Sequence, residues 1–280
     1  VQPVPTLREV DTETARQTLG YAPTANGGPL EGLLLVAPVK VAGELTTVEL
    51  IDGSGRKSAV AGGAKGGGWW ATQPLPDDEA ATILIGEGVA TVLSASEAGG
   101  LPGVAGLASN NLPKVADALR TRYPEATLIV LADLDKSTEE PDPGAVEAAR
   151  QAAGLLALPD FGGDRPEGAK DFNDLAQAHG LEAVQEALAN AAPVSNSGGQ
   201  GEQVGRKVES STNSLLSYSC VTFRLTIWSP VLSGSLTSTT TQSTASLYSR
   251  LTTFIEPVQV PLYPIYCIDG SWLALSTGIL

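Results

Sequence analysis

Methionine is absent from the 280 residues, histidine occurs once and cysteine twice. Cys220 and Cys267 lie far apart, with neither a C-x-x-C pattern nor a neighbouring histidine, so a disulfide framework and a cysteine-based zinc site are excluded. No apolar run approaches the roughly 18 residues of a membrane-crossing helix. Val1 to Asp11 carries Pro3, Pro5, Arg8 and Glu9 where a secretory signal would carry an apolar block. A cytoplasmic protein without a membrane partner is expected. No G-x-x-x-x-G-K-[ST] run occurs, which excludes a P-loop motor. Basic residues are scarce too: 17 Lys and Arg face 31 Asp and Glu, a net charge of −14. That balance opposes the broad phosphate neutralisation on which non-specific nucleic-acid binding rests, so a polyanion must be met locally or through metal. The valine start in a chain without methionine reads as a fragment of a longer protein.

What is present is a globular composition, 42% hydrophobic and 17% charged, able to bury enough surface to offset the entropy of ordering. The length suits one large domain or two modest ones. Composition divides the chain into a β-rich part (1–80), an α/β part (81–192), a linker (193–210) containing Ser195-Asn-Ser-Gly-Gly-Gln-Gly201, and a tail (211–280). The tail is net neutral, and 24 of its 70 residues are Ser or Thr. Val221, Phe223, Leu225 and Ile227 alternate with polar residues as in a strand. A small β module and an out-of-frame or fused segment explain this tail equally well, and it is assigned no function.

In the first part, Leu33–Val36, Leu45–Ile51 and Lys57–Ala61 read as short strands separated by glycine-containing turns. From residue 82 strand and helix alternate. Ile83–Ile85 precedes a helix with Val89, Val92 and Leu93 on one face, closed by Gly99-Gly100. Val104–Ala108 precedes a helix capped by Asn111, with Pro113 in its first turn and Val115, Ala118 and Leu119 on its apolar face. Thr127–Ala132 reads as a buried strand, followed by a helix over Ala145–Ala153 opened by Asp142-Pro143, then a strand at Leu155–Leu158. A short helix after Asp171 ends at Gly180. Such alternation predicts right-handed crossovers, a parallel sheet with flanking helices, and a site at the carboxyl ends of the strands.

Carboxylates occupy those ends. Glu87 stands between Gly86 and Gly88 after one strand, and Asp133 and Asp135 follow another, two residues apart and hence on one side of an extended chain. Clustered carboxylates repel, and Mg²⁺ relieves this by accepting hard oxygen ligands, with Mn²⁺ an alternative. Taken singly, each also has a plainer reading: the aspartates cap a turn, and Glu87 sits in solvent at a helix N-terminus. In Lys170-Asp171-Phe172-Asn173-Asp174, Asp171 is placed as an N-cap or as a further metal ligand. His179, the lone histidine, fits a helix C-terminus and is assigned no catalysis.

Ile85-Gly-Glu87-Gly88, Ala132-Asp133-Leu-Asp135 and Lys170-Asp-Phe-Asn-Asp-Leu-Ala176, in that order, resemble the acidic motifs of the Toprim domain. They are most similar to those of the Toprim primases of phages, plasmids and integrated elements, and the resemblance covers about residues 28–192. It implies a Toprim-like α/β fold and Mg²⁺-dependent nucleotidyl transfer making RNA primers on a single-stranded DNA template from nucleoside triphosphates. Glu87, Asp133 and Asp135 would be catalytic; they and Asp171 would hold metal. A replicative helicase is an implied partner, and a zinc-binding module would lie upstream. The long acidic loop Lys136–Gly144 departs from the many relatives that turn sooner into the helix.

The resemblance also assigns the β-rich part to guiding template and nucleotide. Its candidates are Lys40, Arg56, Lys57 and Lys65, joined by Lys170 from the α/β part. Lys65 precedes Gly66-Gly-Gly68 and Trp69-Trp70, which suits phosphate and base contact or, equally, a glycine turn running into core tryptophans. Rival readings are a Toprim nuclease using the same carboxylates and an inactive mobile-element remnant that only binds a replication partner. A receiver domain would place its acidic pair after the first strand, whereas here the pair comes later.

Overall fold

The computed structural model describes residues 7–135, 137–194, 265–268 and 271–274. The chain divides into two compact units, 1–194 with 242–280 and 195–241, and the described residues all belong to the first. The expected linker from 195 onward and the alternating run Val221–Ile227 lie outside them.

The chain opens with β1 (Arg8–Asp11) and α1 (Thr12–Leu19), the two-residue strands β2 (Thr24–Ala25) and β3 (Gly28–Pro29), then β4 (Leu33–Val41), β5 (Glu44–Asp52) and β6 (Lys57–Ala59). An antiparallel sheet of order β1-β4-β5-β6 results. Its two faces are both apolar for a reason visible in the alternation. Leu34, Val36, Val48 and Leu50 pack on Ala15 and Leu19 of α1. Leu35, Ala37, Val39 and Ile51, on the other face, join a core with Trp70, Val89 and Leu107 from the following segment.

That segment runs β7 (Trp70–Ala71), β8 (Thr82–Gly86), α2 (Val89–Gly99), β9 (Gly103–Ala105), α3 (Leu112–Arg122), β10 (Thr127–Leu131), α4 (Pro143–Gln151), β11 (Leu155–Ala157), α5 (Phe172–Ala189) and β12 (Ala192–Pro193). The sheet order is β12-β11-β10-β8-β9-β7, parallel across β11, β10, β8 and β9 with antiparallel edges. Helices cover both faces, so these strands lack polar alternation. Leu84, Ile129 and Leu131 meet α2 and α5 through Val92, Phe172, Leu175 and Val184. Ile83, Ile85, Leu128 and Val130 meet α3 and α4 through Val115, Leu119, Ala145 and Ala148. The fold is the expected α/β parallel-containing sheet beside a smaller β sheet.

Four local expectations change. β9 stops at Ala105 because Leu107 takes a left-handed φ of 66°, although Gly106 and Leu107 N–H still reach the carbonyls of Gly86 and Glu87. On α3 Ala116 is buried and Ala118 only partly so. Asn111 precedes α3 in helical backbone and makes no side-chain cap. Gly180 breaks α5 with φ 84°, yet helix resumes and continues to Ala189, where no element was expected. Within the tail, β13 (Ile265–Ile268) and β14 (Ser271–Ala274) pair as an antiparallel hairpin.

Candidate active site

β8 and β10 lie side by side, Ile85 opposite Val130, and end at the same edge. From β8 the chain goes to β9 on one side and then returns to β10 on the other, so the strand order reverses there and a crevice opens at the strand ends. Glu87 follows β8 directly, and Asp133 follows β10. They line a cleft of about 520 Å³ with Asp135, Ser137, Thr138, Glu140, Asp142 and Lys170.

Asp133 is the deepest of these carboxylates, its side chain 12% exposed. Lys170 Nζ donates to its Oδ2, whereas Oδ1 is buried without a partner. Burial pushes the Asp133 carboxyl up; the Lys170 ammonium pulls against that shift and the Glu87 charge adds to it. Burial works to lower Lys170, but the bond to Asp133 and its charge outweigh it and raise the ammonium. The backbone sets this pairing. Leu134 N–H donates to the Lys170 carbonyl at 2.8 Å, and Lys170 N–H donates to Asp174 Oδ2 at 2.7 Å. The start of α5 is thus anchored beside the end of β10.

The expected metal set of Glu87, Asp133, Asp135 and Asp171 is not gathered into a cage. Among the described residues no three acidic, His or Cys side chains converge closely enough to hold a cation. Competing local bonds explain this. Asp135 Oδ1 accepts from Ser137 Oγ, the N–H groups of Ser137 and Thr138, and Thr138 Oγ1, which together hold the carboxyl well below its ordinary range. Asp171 Oδ1 accepts from the N–H groups of Asn173 and Asp174, completing a capping box; burial, Asp174 and Asp133 push its carboxyl up. Asp133 holds Lys170. In kind, the donors still suit a hard divalent ion: carboxylate oxygens at one strand edge, one of them buried and unpartnered.

The acidic loop after Asp135 folds on itself rather than waving free. Asp135 N–H donates to Glu140 O, and Arg165, 14% exposed, pairs with Glu139 at 3.2 Å. Asp142 caps α4 and accepts from Ser109 Oγ at 2.6 Å. Arg165 was not foreseen, since nothing in the sequence links it to a loop so far upstream.

The basic candidates separate. Lys57 is exposed on β6, near enough for its charge to stabilise ionised Asp133. Lys65 reaches Glu49 Oε1 at 2.6 Å, pairing a carboxylate that is 3% exposed. Arg56 is committed to Asp52 at 2.8 Å and stands 3.6 Å from Glu31, stapling the β5–β6 turn. Lys40 is exposed, and its backbone bridges Trp69. Trp70 is buried in the core, which corrects the base-stacking reading for it and favours the glycine turn. Asn111 was missed in its actual role. Its Nδ2 donates to the carbonyls of Gly68, Gly106 and Lys65, and its Oδ1 accepts from Gly67 N–H, so it ties the glycine loop to the larger sheet. A buried polar residue after a turn signal could have suggested this, but a cap is the more frequent outcome.

Comparison with known proteins bears on residues 82–182, which match the model of the Toprim domain. The DNA primase TraC of Escherichia coli is 36% identical over 88 residues, 29% of this chain and 8% of that protein. The chain therefore spans a small part of that relative's length. Among solved structures, a chain in the complex of bacteriophage T7 lagging-strand DNA polymerase with primase domains of two gp4 subunits is 16% identical, with 67% of this chain and 94% of that one covered and a TM-score of 0.43. The RNA polymerase domain of Mycobacterium tuberculosis primase DnaG with double-stranded DNA is 18% identical, covering 65% and 61%, with a TM-score of 0.44. The acidic cleft between β8 and β10 thus lies inside residues 82–182, the segment of this chain that matches the Toprim domain.

Proposed function

We propose that this chain is the catalytic core of a DNA primase, joining nucleoside triphosphates into RNA primers on single-stranded DNA. The observation that carries the reading is the meeting of Glu87, Asp133, Asp135 and Lys170 in one cleft at the strand-order reversal of a Toprim domain. Asp133, Glu87 and Asp135 are the residues that would hold Mg²⁺ or Mn²⁺, with Asp171 contributing charge from behind its cap. The bound ion supplies Lewis-acid activation of the 3′-hydroxyl and neutralises the pyrophosphate leaving group.

The chain's own groups do the rest. Glu87, a partly exposed carboxylate of the set, accepts the proton of the attacking hydroxyl or completes the ligand set. Lys170 lines the cleft and offers a cation to the triphosphate, and Lys57 and Lys65 of the β-rich part are proposed as further phosphate partners. The net charge of −14 makes template affinity weak and salt-sensitive in this chain alone. A replicative helicase is a proposed partner that would raise the local concentration of template.

The test is incubation of the full chain with Mg²⁺, labelled nucleoside triphosphates and single-stranded DNA, beside Asp133→Ala and Glu87→Ala. Template-dependent oligonucleotides that vanish in both variants support the proposal. Shortening of the template moves the reading to a Toprim nuclease. Absence of any product, even with a primase zinc module supplied separately, moves it to an inactive mobile-element remnant.

A further inference from the structure

We propose that Lys170 is the resident counter-ion of Asp133 and exchanges with the divalent metal: the ammonium holds the carboxylate in the apo protein and is released into the cleft when metal binds. The inference rests on the reading of this cleft as a metal site and adds to it a role for Lys170 before substrate arrives.

Three observations carry it. The first is occupancy: Lys170 Nζ sits on Asp133 Oδ2, the deepest carboxylate of the cleft, and no three-donor cage exists among the described residues while it does so. The second is the state of the other oxygen. Asp133 Oδ1 is buried and unpartnered, a costly arrangement for a carboxylate that one ammonium only half relieves. A divalent ion brings twice the charge and can take both oxygens. The third is the way Lys170 is mounted. Its backbone is fixed on both sides, by Leu134 N–H and by Asp174 Oδ2, while its side chain is 37% exposed and lines the cleft with Glu87 and Asp135. A fixed backbone with a long flexible stem lets the charge move several ångströms without disturbing α5.

The exchange has a chemical consequence. With the cation gone from Asp133, Lys170 would stay tethered in the cleft it lines, free to meet the oxygens of a triphosphate. Metal loading would then convert Lys170 from a carboxylate partner into a phosphate partner, so phosphate affinity would rise only after metal has entered. A lysine placed solely for substrate would not need to occupy the metal's ligand.

Binding of Mn²⁺ to the full chain, followed by the loss of free-ion electron paramagnetic resonance signal without nucleotide, tests the proposal. The Asp133-dependent component is isolated by subtracting Asp133→Asn. Lys170→Met keeps the apolar stem and removes the charge. It is expected to tighten that component by about tenfold, the size of one like charge removed from a few ångströms away. Lys170→Arg, still cationic, is expected to bind no tighter than the unaltered chain. Thermal melts confirm that each variant is folded. An Asp133-dependent component that is unchanged or weaker in Lys170→Met overturns the exchange while leaving the metal site standing. No Asp133-dependent component in any of the three cationic or neutral forms overturns the metal reading itself, and the exchange with it. Neither outcome depends on primer synthesis.

Discussion

Two lysine–carboxylate pairs of the same make sit in the two sheets. Glu49 on β5 and Asp133 after β10 are both nearly buried, each with one oxygen on a lysine and the other buried without a partner. Their settings differ. Glu49 lies in mid-strand, opposite Ala37 on β4 and Ala59 on β6, with hydrogen-bonded strands on either side. Asp133 lies past the end of its strand, where the sheet order reverses and the cleft begins. Glu49, held between strands, does not line that cleft, so its carboxylate contributes to shape. The same pair at the edge of a parallel sheet faces a cavity and a second carboxylate, Glu87. Position in the topology, more than residue type, is what gives the two pairs different proposed roles.

The largest expected difference between them is catalytic. Asp133→Asn should reduce template-dependent synthesis by roughly 10²- to 10⁴-fold, the few kcal/mol that a metal ligand supplies to a transition state. It should leave the melting temperature level or higher, because burial and Glu87 already disfavour the ionised form. Gel-resolved primers and a thermal melt on the same preparation check both halves. A variant that loses stability as well as activity would erase the distinction between the pairs.

Asn111→Ala acts on what joins the two regions. It removes three hydrogen bonds between Asn111 and the glycine loop and a fourth to Gly106 O, and leaves the buried carbonyls of Gly68 and Gly106 without this donor. A loss of about 2–3 kcal/mol in urea unfolding is expected. Gly68 permits the joint, since a Cβ there would stand 2.9 Å from Val39 and Val41. Lys65 hangs from the same loop, so nucleotide KM should rise more than kcat falls.

The sequence made the alternation of β8, β10 and their helices legible, because strands buried on both faces are uninterrupted apolar runs and Gly99-Gly100 and Asp142-Pro143 punctuate the helices. It also put Glu87, Asp133 and Lys170 at ends that the sheet brings together. What it could not show are contacts between residues far apart in sequence. Asn111 looked like a cap because capping is local, and its partners in the glycine loop lie some forty residues upstream. Lys65 looked available because Glu49 reads as a surface residue of an alternating strand. For Asp135 and Asp171 the capping reading stood beside the ligand reading, and the structure shows the short-range N–H partners of the first.

Glu49→Gln probes the structural member of the comparison. It keeps the volume but removes the charge that faces Lys65, whose side chain is 27% exposed and can turn to water. The expected cost is about 1–2 kcal/mol in urea unfolding, below that of a fully buried pair. Activity should fall far less than in Asp133→Asn. A larger loss of activity than of stability would make Glu49 part of the chemistry.

The smallest effect is a pH response confined to the loop of Asp135. Its carboxyl titrates well below the 3.8 of an unstrained aspartate because Ser137 and Thr138 bond the ionised form. A lowered carboxyl pKa stabilises the folded loop above that reference value, and the contribution disappears as pH falls through the folded pKa. Asp133 and Asp171, both raised, act oppositely: protonation on acidification relieves the folded state. Global unfolding would mix the two signs, so the measurement is local, amide exchange at Ser137 and Thr138 between neutral pH and about pH 3. Protection should be retained down to about pH 4 and decline below it. In Asp135→Ala it should be absent throughout, without a step. A step that survives in the variant would assign the response to Asp133 or Asp171, and would place the loop under the control of the cleft.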